Sequence, residues 1–448
     1  MTQQEQKIAV DLDGGKTLVF ETGKIARQAH GSVLLHLGET TLLATACRSN
    51  KASEEIDFFP LRVDYQEKFS SVGRTLSGFI KREGRPTQKE ILTSRFIDRS
   101  IRPLFPDGYF NEVQILSYVY SYDGLHIPDV LAICAASAAL TLSDIPFLKP
   151  IGAVRIGLLD ENFIINPNPE ELKKSQLDLI LSGTEDALLM IEGSCDFLTE
   201  EIILKAAEFG HAAIRKICQA LSGWQAKIGK PKNLGSVSQI SQEALEAVRK
   251  HSEKDLNEAL RIKEKKLREE HFSKIKTSLF EELLAEEKEA GKFLKRDLEI
   301  AFKNLSSALM RKMILEENRR IDGRALDEIR PISIETSLFP RTHGNAVFTR
   351  GETQAIAVCT LGSTAMVERY EDLHGEGESR FYLQYFFPPF SVGEVGRSGP
   401  PGRREIGHGK LAEKALKAIL PDMADFPYVI RMESNITESN GSSSMASV

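Results

Sequence analysis

Three consecutive serines, Ser442-Ser443-Ser444, follow Asn440-Gly441 and precede Met445-Ala446 near the end of a 448-residue chain. Hydroxyls and free backbone N–H groups at the start of a helix make an anion site, because the orphan donors and the helix dipole both favour negative charge. Phosphate or a phosphodiester suits such a site; the plain alternative is a capping serine in a polar loop. Arg403-Arg404 stand before a second helical run, Glu405-Ile406-Gly407-His408, where guanidinium forks can engage phosphate oxygens two at a time. His408 falls one turn into that helix and can face the same anion as a donor or proton carrier. Alone, such a histidine is more often a structural surface residue; its occurrence together with the serines reverses that reading.

A second group of candidates lies earlier. Gly78 to Pro86 is a glycine-bounded basic loop with Phe79, Ile80, Lys81 and Arg82, able to stack a base and neutralise the backbone of a single strand. The helix after it carries Arg95, Arg99 and Arg102 at steps of four and three, so all three share one face. That stripe suits a polyanion, although pairing with Asp98 or Glu90 would make part of it structural. Glu371, Asp372, Glu376 and Glu378 surround His374 and read as a metal loop or, more simply, as a solvated surface. No GxxxxGK[ST], HExxH or Cys/His cluster occurs, which argues against P-loop hydrolysis and zinc chemistry.

These residues sit on a duplicated frame. His30 to Thr40 recurs as His343 to Thr353, and Glu90 to Pro106 overlays Glu405 to Pro421 without a gap. In that register Gln88 and Lys89 lie opposite Arg403 and Arg404, Thr93 opposite His408, and Ile127-Pro128-Asp129 opposite the serines. Only the second copy combines hydroxyls, a histidine and an arginine pair.

The frame is α+β, close to α/β in its alternation. Ser32–Leu37, Thr41–Ala46 and Val113–Tyr120 read as strands, with Gly38-Glu39 turning the first hairpin. Helices are predicted over Glu90–Ile101, Ile133–Leu142 and Thr199–Leu221. From Ser241 to about Asn318 the chain is rich in Glu, Lys, Leu and Ala, with apolar residues at helical spacing (Leu245, Val248, Leu256, Leu267, Leu279, Leu305). The expected division is therefore a first unit over 1–235, an all-helical linker over 236–318 and a second unit over 319–448. Residue 448 corresponds to position 133 of the first copy, so the second unit is expected to be incomplete, with an exposed edge and apolar face.

Composition sets outer bounds. A net charge of -6 excludes a surface coated in basic residues but not a local basic groove. The five cysteines are scattered and form no CxxC pair, as expected for reduced thiols in a cytosolic protein. Neither a signal peptide nor a membrane span is expected.

FFPLRVDYQEKFSSVGR, KREGRPTQKEILTSRFIDRSIRPLFP, LFPRTHGNAVFTRGETQA, RREIGHGKLA and ITESNGSSSMASV resemble the bacterial polynucleotide phosphorylases over nearly the whole chain. The resemblance implies two ribonuclease PH-type domains joined by a helical linker, a ring-shaped homotrimer and RNA threaded 3′ end first. It implies processive, phosphate-dependent 3′-to-5′ cleavage that releases nucleoside diphosphates, reversible as polymerisation, in mRNA degradation in the cytoplasm. Inorganic phosphate would be held by Ser442, Ser443 and Ser444 beside His408. Arg403 and Arg404 would hold the RNA backbone, helped by Arg95 and Arg99 and by the loop residues Phe79, Lys81 and Arg82. Two departures stand out: the loop carries one aromatic where the family usually has two, and the family's aspartates and lysine, which bind magnesium or manganese, would lie beyond Val448. This chain alone is thus expected to be inactive, with no metal ligands of its own. A helicase or endonuclease in an RNA-degradation complex is a further implied partner. The alternatives are a tRNA-trimming ribonuclease PH, which needs only one unit, and a non-catalytic RNA-binding or ring-scaffold protein.

Overall fold

The computed structural model describes residues 6–52, 56–79, 81–237, 240–285, 293–397 and 399–448. Its first unit opens with strands β1 (Gln6–Leu12), β2 (Lys16–Thr22), β3 (Gly31–Leu37), β4 (Thr40–Ala52) and β5 (Leu61–Glu67). Helix α1 (Gln88–Ile101), strand β6 (Asn111–Ser121) and helix α2 (Pro128–Leu142) follow. The sheet order is β1-β2-β3-β4-β6-β5, with only β5 and β6 running parallel. Gly38 takes φ +58° in the two-residue β3–β4 turn, where Leu37 pairs with Thr40. A left-handed residue is what such a tight hairpin needs.

A second sheet, β10-β9-β7-β8, is built from β7 (Gly152–Leu159), β8 (Asn162–Ile165), β9 (Leu177–Gly183) and β10 (Leu188–Cys195), with α3 (Pro169–Lys174) between β8 and β9. Helix α2 lies between the two sheets, against β3, β4 and β7, and α4 (Glu200–Ile228) packs on β7 and β9. All fifteen residues of α2 are consequently buried, which is why it is written largely in alanine. A Cβ on Gly31 would lie 2.0 Å from the Ala139 carbonyl oxygen, so strand and helix approach only because that residue is glycine.

Helices α5 (Gln242–Ala259), α6 (Lys265–Ala285) and α7 (Lys295–Glu317) bury their own cluster around Leu256, Leu279, Leu298 and Leu305. Leu267, placed by its spacing on the apolar face, is instead exposed.

The second unit repeats the first sheet. Its strands are β11 (Ile332–Thr336), β12 (Gly344–Arg350), β13 (Thr353–Gly362), β14 (Glu368–Asp372), β15 (Gly375–Ser379), β16 (Phe381–Phe386) and β17 (Val429–Glu438), with helices α8 (Arg403–Lys417) and α9 (Ser443–Ser447). The order β11-β12-β13-β17-β16, with β16 parallel to β17, reproduces β2-β3-β4-β6-β5 strand for strand. All of β11 is exposed and all of β12 half-buried, whereas β3 is almost wholly buried. Among the described residues, the five-residue α9 stands over β13 where the first unit has the fifteen-residue α2.

Candidate functional site

The two copies agree atom for atom at the start of the site helices. In α1 the Glu90 carboxylate accepts the N–H of Thr87 at 2.7 Å and of Glu67 at 2.8 Å. In α8 the Glu405 carboxylate accepts those of Gly402 at 2.8 Å and Phe387 at 2.9 Å. Each glutamate thus satisfies an orphan donor of its helix and ties that helix to the residue ending or following β5 or β16. Lys89 and Arg404, one residue earlier, are thereby delivered to the same place in each unit.

α1 and α8 pack against each other, and a cleft of about 290 Å³ opens between them, lined by Arg95, Arg99, Glu192, His408, Lys414 and Ser444 among others. A Cβ on Gly407 would sit 2.5 Å from Arg95 Nε, so the glycine lets the first copy's arginine pass into the second copy's site. Arg95 also donates to the Arg403 carbonyl oxygen at 3.1 Å.

His408 stands edge-on to Tyr385, with centroids 5.1 Å apart. Burial, then Arg95 and Arg404, hold its pKa down at about 4, so the ring is neutral at pH 7. Its Nδ1 is buried with no hydrogen-bond partner. A neutral imidazole lining a cleft under the influence of two guanidinium groups can donate a hydrogen bond to an anion there.

The remaining predicted residues divide. Arg404 is exposed and lies over the Phe387 ring at 5.9 Å, while Ser444 lines the cleft. Ser443 is buried and shares a 2.8 Å hydrogen bond with the Tyr385 hydroxyl. Ser442 takes φ +53°, and its carbonyl accepts from Arg350 at 3.0 Å, outside the cleft lining. Arg403 turns away: its guanidinium engages the Asp64 carboxylate and the Val63 carbonyl of the first copy. Arg99 enters the cleft but is paired with Glu192 at 3.1 Å.

The three-arginine stripe is split. Arg102 binds Asp98 at 2.6 and 2.7 Å and the carbonyls of Phe59 and Leu61, and is structural. Phe79 is fully exposed, and Arg82 is exposed as well. Lys81 folds back on the carbonyls of Leu76 and Ser77, and Ile80 lies outside the described residues. None of the cleft-lining residues comes from this loop. Its root is fixed instead to β14 and the turn after it: Ser77 bonds Glu371 at 2.5 Å, and Arg74 reaches the carbonyls of Asp372 and Leu373. The acids around His374 therefore form a hairpin packed on the first copy, with His374 edge-on to Tyr122.

At the equivalent place in the first copy the charges are paired with acids of the fold, one of them from the second copy. Lys89 pairs with Glu67 at 3.0 Å and Asp372 at 3.6 Å, and Thr93 donates to the Lys89 carbonyl at 3.1 Å. Asp129, opposite Ser444, is buried against Arg155.

Glu192, Lys414, Tyr385 and Phe387 escaped the sequence reading. The last two were findable, since Tyr65-Gln66-Glu67 overlays Tyr385-Phe386-Phe387 ahead of matching Ser-Val-Gly triplets. Glu192 lies on β10, which has no counterpart among the second unit's described strands, so no overlay could reveal it.

A doubled sheet with one helix start left open and the other neutralised matches a known class. The chain belongs to the 3′ exoribonuclease family: domain 1 of that family matches residues 14–146 and again 328–448, and domain 2 matches 149–213. Residues 243–325 match the RNA-binding domain of polyribonucleotide nucleotidyltransferase. The chain is 58% identical over 445 residues to the polyribonucleotide nucleotidyltransferase of Protochlamydia amoebophila and 59% identical over 443 residues to that of Chlamydia pneumoniae. Each alignment covers 99% of this chain and 64% or 63% of the relative, so the chain spans under two thirds of their length. Among solved structures, rice Rrp46 aligns with 50% of this chain and 94% of its own at 16% identity and a TM-score of 0.37. No helix among the described residues is long and apolar enough to cross a membrane.

Proposed function

We propose that the cleft between α1 and α8 is the phosphorolytic site of a polyribonucleotide nucleotidyltransferase. The observation that carries this reading is the convergence on one cleft of Arg95 from one copy with His408 and Ser444 from the other, with Arg404 close enough to act on the His408 charge. Inorganic phosphate is held by Ser443, Ser444 and the neighbouring backbone, with Ser442 fixing the loop and His408 donating to a phosphate oxygen. Another oxygen of that phosphate attacks the terminal phosphodiester phosphorus, the bond from that phosphorus to the preceding 3′ oxygen breaks, that oxygen takes the proton given up by the hydrogen phosphate, and a nucleoside diphosphate leaves. The reverse reaction adds nucleotides. An anionic nucleophile needs alignment and charge neutralisation more than a strong base, and cations with a neutral imidazole supply both. Arg95, Arg99 and Arg404 hold the RNA backbone, while Arg403 acts through Asp64 as a positioning residue. Phe79, Lys81 and Arg82 meet the single strand farther out.

The same reading takes 1–235 as a degenerate, RNA-contacting domain, 236–318 as the helical linker and 319–448 as the phosphate-binding domain. The assembly is a homotrimer in the cytoplasm acting on RNA 3′ ends in mRNA degradation, with a helicase or endonuclease as companion. Magnesium or manganese would assist the leaving group. The described residues do not fit that ion: no three His, Cys, Asp or Glu side chains gather to hold it, and the cleft carboxylate Glu192 is already paired.

The test is release of nucleoside diphosphate from poly(A) with phosphate and magnesium, using the chain extended to its relatives' length. Ser443→Ala and Arg404→Ala should each lower turnover by orders of magnitude, and unchanged turnover would remove the site assignment. RNA binding without nucleoside diphosphate release would favour the scaffold alternative.

A further inference from the structure

Glu192 is the single acid among the described residues that line the cleft. It comes from β10 of the first unit, and its carboxylate bridges Arg99 of α1 at 3.1 Å and Lys414 of α8 at 3.4 Å. Lys410 is held by Glu413 at 2.7 Å. Arg95, in contrast, has the Arg403 carbonyl as its one hydrogen-bond acceptor among the described residues, and feels Glu192 and Asp98 through charge alone. The cleft is therefore uneven: its charge is less compensated beside His408 than at the Glu192 end.

That compensation is built to be undone. The Arg99 and Lys414 side chains keep 47% and 36% of their exposure and Glu192 keeps 19%, so water still screens both pairs and their contribution to the stability of the fold is modest. A phosphodiester offers the same two cations an equivalent anion with stronger, bidentate geometry for the arginine. We propose that Glu192 is a tethered stand-in for an RNA phosphate, exchanging places with the strand at Arg99 and Lys414 and so setting how tightly the cleft grips it. The inference rests on the reading of this cleft as the RNA site. Its physical content is that the cations stay neutralised whether a phosphate is present or between two steps. A strand that must advance one nucleotide at a time thus meets no deep electrostatic well.

The experiment is fluorescence anisotropy of a labelled oligoadenylate with the 448-residue chain over a range of salt. Glu192→Gln should bind several-fold more tightly, with a log–log salt slope steeper by up to about 0.7 for each cation set free. Lys414→Gln should bind more weakly. Unchanged or weaker binding by Glu192→Gln, with Arg95→Gln impaired, overturns the proposal and leaves the cleft assignment standing. Parallel loss in Glu192→Gln and Lys414→Gln also overturns it, because the bridge would then be only a clamp between the copies. If Arg95→Gln binds as well as the parent, the cleft is not the RNA site and both readings fall.

Discussion

Arg404 lies over the ring of Phe387 where the first copy sets Lys89 against the carboxylate of Glu67. One change of partner separates a cation that is left available from one that is consumed. An aromatic face attracts a guanidinium without cancelling its charge, whereas a carboxylate cancels it. Phe387→Glu should therefore copy the first copy's arrangement into the second and weaken oligoadenylate binding by roughly tenfold or more, the scale of one lost charge-assisted contact. Calorimetric titration with oligoadenylate checks this; undiminished affinity would show that Arg404 does not hold the RNA backbone.

The His408 ring is held neutral by burial and by Arg95 and Arg404, at about 4 against an ordinary 6.5. Because the folded-state value is the lower one, the unfolded chain takes up the proton first as pH falls from 6.5 towards 4, and stability drops across that window. His408→Gln should flatten this part of the stability–pH curve. An anion beside the ring favours its charged form, so saturating phosphate should raise the midpoint, read from the His408 ring proton by NMR. A midpoint near 6.5 that ignores phosphate would contradict the geometry.

Gly407→Ala places a methyl group where Arg95 Nε now passes. The guanidinium is the movable partner, so the fold should survive while RNA binding weakens about tenfold, comparable to Arg95→Ala. In the Arg95→Ala background the glycine substitution should cost almost nothing more. Additive losses would mean that Gly407 acts by another route.

Tyr385→Phe removes the partner of the buried Ser443 hydroxyl. Stability should fall by about 1–3 kcal/mol, the cost of leaving a buried polar group unsatisfied. Denaturant unfolding at neutral pH measures it. No change would mean that Ser443 finds another acceptor.

Local features of this site were legible in sequence, and long-range ones were not. The register that set Glu90 opposite Glu405 predicted equivalent helix starts, and both carboxylates cap in the same way. Gly38 marks its own turn, and the Ala-rich run within α2 marks a helix, although not the two sheets that bury it. Arg95, Arg99 and Arg102 looked alike because helical spacing reports only that they share a face. What separates them is Gly407, Glu192 and Asp98 respectively, and only the last is a neighbour in sequence. Arg403 was assigned with Arg404 by adjacency, yet Asp64, from a strand more than three hundred residues earlier, claims it. Pairings of that kind depend on how two sheets dock, which no local pattern encodes.

The passage of Arg95 beside Gly407 has a consequence for the history of the duplication. A gene that doubles ordinarily leaves a spare, and the spare can be lost without harm. Here the copy without the histidine and serines sends a side chain into its twin's cleft, and the twin makes room for it with a missing methyl group. Removing the first half would therefore take a cation away from the second, so neither copy is a spare of the other.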